Sequence, residues 1–208
     1  MRGPGALPVT LARRVVYVRG PIDGFPSAKV AKTEVESVKD ALLYCLVDPP
    51  TSKTEKALLG RVKTAYAAGE MEKRTPNVRR LADAVVGQRF LLPAWSERVA
   101  AAEERETILA YRSDFDHQNF DRFRDALRAE VLVAVMDEPG ATLGPTEMDG
   151  ERPHPIRLVV YDLVADAPLL RRRATVDPSG FSASARAEYA SAMDGCGVAY
   201  DVKTSLAP

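Results

Sequence analysis

Two periods of apolar and polar residues alternate along this chain, and the switches between them mark out its elements. Leu11 to Arg19 carries Val15, Val16, Tyr17 and Val18, the β-branched and aromatic content of a strand. Gly20-Pro21-Ile22-Asp23-Gly24 breaks it. Thr33 and Glu36 then stand at capping-box spacing, and Val35, Val38, Leu42 and Cys45 keep a helical stripe until Asp48-Pro49-Pro50 stops it. A second helix is predicted from about Lys53 to Ala68, with Leu58, Val62 and Tyr66 four residues apart. A third opens at Thr75-Pro76, where proline suits the first helical position, uses Val78, Leu81 and Val85, and ends at Gly87.

Past the short apolar run Phe90 to Trp95, residues Ser96 to Tyr111 score as one helix by propensity, with a thin apolar face of Val99, Ala102, Leu109 and Ala110. Phe120, Phe123 and Leu127 give a better stripe, for which Ser113-Asp114-Phe115-Asp116 reads as the N-terminal cap. Leu132 to Met136 can be a buried strand or a continuation of that helix, and the strand is favoured because Val131, Val133 and Val135 are β-branched. Residues 137–155 hold several Gly and Pro turn signals and many charges, so they read as a long surface loop, with His154 exposed between Pro153 and Pro155.

Ile156 to Val164 is a strand, Ala165-Asp166-Ala167-Pro168 turns it, and Leu169 to Val176 returns. In the return strand Leu170, Ala174 and Val176 share one face and Arg171, Arg173 and Thr175 the other. Arg172 falls on the apolar side by parity, so it either sits near an edge or rim or finds an acid partner. Ser182 or Ser184 caps a final helix with Tyr189, Met193, Cys196 and Tyr200 at helical spacing. Gly195 and Gly197 either admit another backbone or end that helix, so that Val198 to Lys203 forms a last strand. The expectation is a single α+β domain over residues 1–208 with a flexible lead-in at 1–10. Its core is an antiparallel sheet of four to five strands with helices packed on one face.

Composition narrows the function classes. With 208 residues, 46% of them hydrophobic, the chain can bury a substantial core without help from metal or disulfide. Lys+Arg and Asp+Glu both number 29, so no global field draws nucleic acid, and a protein partner is expected instead. No apolar run approaches the ~18 residues of a membrane span. The first 22 residues contain Arg2, Arg13, Arg14 and Arg19 and no acid, the charge pattern of a mitochondrial transit peptide, although Pro4, Pro8 and the strand reading of Leu11 to Arg19 run against it.

Candidate chemistry is sparse. There are two histidines, and no nucleotide-binding, nucleophile-elbow or metalloprotease motif, so no cofactor is expected. Asp114, Asp116 and His117 lie close enough in sequence to ligate a cation or act as acid and base, but Asp-x-Asp before an amphipathic helix is ordinary capping chemistry. Glu103, Glu104 and Glu106 read as a solvated helix face. Arg171 and Arg173, with Arg172 between them, read as cations guarding a strand edge ahead of a contact for phosphate or an acidic partner. Cys45 and Cys196 are either two buried small hydrophobes or one bridge tying the first helix to the last, which an oxidising compartment would allow.

The C-terminal pattern of Leu158-Val159-Val160-Tyr161-Asp162-Leu163, a turn, Leu169-Leu170-Arg171, then Arg186-Ala187-Glu188-Tyr189-Ala190 and Asp194-Gly195-Cys196-Gly197 resembles uncharacterised bacterial envelope lipoproteins. In these a hairpin of this kind lies at the side of an α+β domain. The resemblance covers the last quarter of the chain and implies an extracytoplasmic, lipid-anchored protein. It assigns no functional residue. Periplasm or cell envelope is therefore expected ahead of cytoplasm, with the mitochondrion third. The leading expectation is a non-enzymatic binding or structural protein. Its rivals are an enzyme whose site is assembled from dispersed Asp, Glu, Arg and Tyr, and an accessory subunit of a large organellar complex.

Overall fold

The computed structural model describes residues 11–21, 41–138 and 153–205. The expected lead-in at 1–10, the capping box at Thr33 and Glu36 and the interior of the loop at 139–152 lie outside the described residues. The architecture is α+β, built on a five-stranded sheet of order β2-β1-β3-β4-β5. β1 (Val15–Pro21) pairs in parallel with β2 (Val78–Arg80) on one side and with β3 (Val131–Asp137) on the other. β4 (His154–Asp162) and β5 (Ala167–Val176) continue the sheet antiparallel. Parallel neighbours need long crossovers, and the helical stretch between β1 and β3 supplies them.

The apolar core lies on one face. Val15, Val131, Val133, Val135, Ile156, Leu158 and Val160 point into it from the sheet. Against them pack α1 (Ala41–Val47), α2 (Glu55–Ala65), the short α3 (Glu70–Arg74) through Met71, and α8 (Ala183–Ser205). Leu42, Tyr44, Cys45 and Leu46 on α1 are fully enclosed. Gly195 lets α8 lie against α1, because a Cβ there would stand 3.0 Å from the Leu42 Cβ and 3.2 Å from its backbone nitrogen. Glu55 accepts from the Ser182 backbone N–H at 2.6 Å and its hydroxyl at 2.8 Å, joining the first turn of α2 to the start of α8.

A smaller layer covers the β1–β2 end of the opposite face, where Val18 and Ala134 pack with Leu81 and Leu132. It is made by α4 (Leu81–Gln88) and α7 (Phe120–Leu127), which meet where Phe123 crosses Gly87. Between them a 3-10 turn (Arg89–Leu91), α5 (Pro93–Ala100) and α6 (Arg105–Asp116) form a helical hairpin.

Four local expectations are corrected. Val78–Arg80 is a strand and the helix starts at Leu81: the valine and its arginines extend alongside Val15–Tyr17, and tertiary pairing overrides an apolar spacing that fits either element. The stretch from Ser96 to Tyr111 is two helices broken at Ala101–Glu104, which lets Trp95 reach Tyr111 and Phe90 reach Phe115. Val198 to Lys203 continues α8. His154 is the first residue of β4 and only 3% exposed; flanking prolines favour extended backbone, which suits a strand start as well as a loop.

Candidate functional site

Four polar side chains are buried together where β1 and β3 end. Arg19, Asp137 and His154 each occupy the next core-facing position of their strand beyond its apolar residues: Val15 and Tyr17 lead to Arg19, Val131 to Val135 lead to Asp137, and Leu158 and Ile156 lead back to His154. Arg19 holds Asp137 in a fork, Nε to Oδ2 at 3.3 Å and Nη2 to Oδ1 at 3.1 Å. His154 Nε2 lies 3.5 Å from Asp137 Oδ1. Asp194 joins from α8, and accepts from the backbone N–H of Asp177. None of the four is more than 8% exposed.

Burial pushes the Asp194 carboxyl up to about 7, against the attraction of His154 and Arg19 and the Asp177 N–H, which favour its charged form; the Asp177 carboxylate acts with burial. The group therefore exchanges a proton near neutrality inside an enclosed, charged cluster. The carboxyl ends of adjacent parallel strands are also where open α/β sheets place ligands.

The residues singled out earlier fall elsewhere. Asp114, Asp116 and His117 are exposed at the C-terminal end of α6, where the helix continues through the stretch expected to cap the next one. Asp114 accepts from Arg89 at 3.4 Å, Asp116 from Arg112 at 3.4 Å, and His117 Nδ1 lies 2.6 Å from the Ser113 carbonyl. The cap of α7 is Asn119, whose Oδ1 accepts from the Arg122 N–H at 2.9 Å. Among the described residues no group of three or more His, Cys, Asp or Glu is gathered as a metal site. Glu103, Glu104 and Glu106 are exposed.

Cys45 on α1 and Cys196 on α8 are joined, with sulfurs 1.90 Å and Cα atoms 5.1 Å apart. Arg171, Arg172 and Arg173 are all exposed on β5, the last strand of the sheet among the described residues. Glu138 accepts from Arg173 Nη2 at 2.8 Å and from Arg157 Nε at 2.5 Å, and these two guanidinium groups hold its carboxyl down to about 2. Arg171 and Arg172 have no acid partner among the described residues.

Two further surfaces have shape. A shallow depression of about 500 Å³ beside α2 is lined by Thr51, Ser52, Lys56, Arg61 and Thr64, with Arg61 already committed to Asp48. The α5–α6 hairpin is more distinctive. Phe90, Trp95, Tyr111, Phe115 and Phe120 form an aromatic seam with centroids 4.6–5.8 Å apart, edge-to-face except for the tilted Phe115–Phe120 pair, and capped by Arg89 and Arg98. Yet neither helix of the hairpin contains a buried residue, and Leu91, Leu92, Val99, Ile108, Leu109 and Phe115 are all 40–68% exposed. Comparison of the chain with known protein families, with curated proteins and with solved structures finds no match.

Proposed function

We propose that this protein is a non-enzymatic protein-binding module of an extracytoplasmic compartment, and that the α5–α6 hairpin carries its contact surface. The observation behind this reading is the run of large apolar side chains that the hairpin leaves in solvent. Scattered apolar residues are ordinary on a surface, but two successive helices with an aromatic seam, no buried residue and several exposed large apolar side chains mark a recognition surface. The Cys45–Cys196 bridge and the lipoprotein-like C-terminal quarter support the compartment. A photocrosslinking residue at Ile108, with one at exposed Lys63 on α2 as control, tests the reading in the source cells. A discrete protein adduct at position 108 alone is expected; none, or the same set at both positions, rejects it.

The buried cluster of Arg19, Asp137, His154 and Asp194 favours a second reading, an enzyme whose site is assembled from dispersed residues. Reagent access separates the two. Diethyl pyrocarbonate should modify exposed His117 quickly. An operating site requires His154 to react at a comparable rate in the folded chain, whereas a purely structural cluster leaves it protected.

A further inference from the structure

The outer edge of β5 has a definite chemistry. The Glu138 N–H donates to the Pro155 carbonyl at 2.8 Å, so Pro155 turns its backbone towards β3. By alternation along the strand, Arg157 and Val159 face β3 as well, while Ile156 and Leu158 face β5. The register pairs Ile156 with Ala174 and Leu158 with Arg172, so these two residues of β5 bond to β4. Arg171, Arg173 and Thr175 therefore aim their N–H and C=O groups away from the sheet. No described residue pairs with that edge.

The side chains along it are cationic on both faces. Arg171 and Arg173 stand on the open face beside Val159 and Arg157, and Arg172 stands on the opposite one. A single cation is enough to keep a strand edge from pairing with its own kind. Three consecutive exposed guanidinium groups do more, since an added strand would meet positive charge on both of its faces. Glu138 answers only Arg173 and Arg157.

We infer that β5 accepts an extended acidic segment of a partner protein as an added strand. Backbone bonds form to Arg171, Arg173 and Thr175, and two adjacent acidic side chains face Arg171 and Arg172 from opposite faces. This surface is separate from the α5–α6 hairpin, and its occupancy does not depend on that of the hairpin.

Fluorescence anisotropy on the full chain tests it with a fluorescein-labelled peptide Thr-Val-Glu-Glu-Val-Thr. A second peptide carries proline in place of both valines, keeping the charge but removing an N–H from each edge of the strand. Saturable binding of the first is expected, weakened at least about tenfold in the second and at least about tenfold by Arg171→Glu combined with Arg172→Glu. Absence of saturable binding overturns the inference. So does equal binding of the proline peptide, which would mean plain charge attraction, or tighter binding of a single-stranded oligonucleotide. Should the double variant fail to fold, the two peptides on the unaltered chain decide the matter.

Discussion

Asp194 and Asp137 are both buried beside Arg19 and His154, with opposite energetic roles. Asp194 carries a pKa raised from the usual carboxyl range to about 7 by burial, so the folded state binds its proton more tightly than the unfolded chain does. The stability that proton contributes is complete below about pH 4 and is lost as pH rises to about 7. Asp194→Asn should therefore flatten the profile over that window and raise stability near pH 7.5 by on the order of 2–4 kcal/mol, as urea midpoints across pH would report. Glu138 and Asp162 act in the other direction. Their carboxyls are held low, Glu138 by Arg173 and Arg157, Asp162 by Arg13 and then by the Ala165 and Val164 N–H groups. Their contribution is present above the ordinary carboxyl range and fades as pH falls through it. Maximum stability is expected on the acid side of neutrality, at about pH 4.5–5. Asp137→Ala removes the counter-charge of buried Arg19, and a loss of about 3–5 kcal/mol is expected in the same assay.

Among the elements, α8 shows how much a helix depends on its neighbours. Its two central glycines look equivalent in sequence. Gly195 lies against the Leu42 backbone and Cβ, whereas a Cβ at Gly197 would meet only the flexible end of Lys53 at 3.8 Å. Gly195→Ala should cost about 1–3 kcal/mol through overpacking, while Gly197→Ala should gain about 0.5–1 kcal/mol from helix propensity. Equal effects in thermal melts would contradict the close approach. The stripe through Leu42 and Cys45, the hairpin from Ile156 to Val176 and the strand at Val131 were legible because their periodicity reflects one buried face. β2 was not, since a three-residue strand is defined by the neighbour it pairs with. The break between α5 and α6 was hidden too, because Ala and Glu favour helix throughout and the aromatic contacts that reward the fold-back join distant residues.

Across the whole molecule the candidate cluster was the least legible feature. Arg19 and Asp137 are 118 residues apart, and only the sheet brings them together. A signal existed: carrying the alternation of Ile156, Leu158 and Val160 back by one step places His154 on the core side, against the loop reading that its prolines suggested. The pairing of Cys45 and Cys196 spans 151 residues, and in the chain-entropy account such a closure contributes about 4–5 kcal/mol. Reduction under native conditions should lower the unfolding free energy from urea titration by a matching amount, and non-reducing mass spectrometry should find no free thiol in the oxidised chain.

That bridge also orders events during synthesis. Cys45 is made early and stays without its mate until residue 196 has emerged, when α8 can settle on α1. A chain stalled before that point would present a lone thiol beside an uncovered apolar surface. Closure of the bridge thus reports that residue 196 has been made and that α8 has settled on α1, and in an oxidising compartment a folding machinery that retains free thiols would hold back chains stalled before that residue.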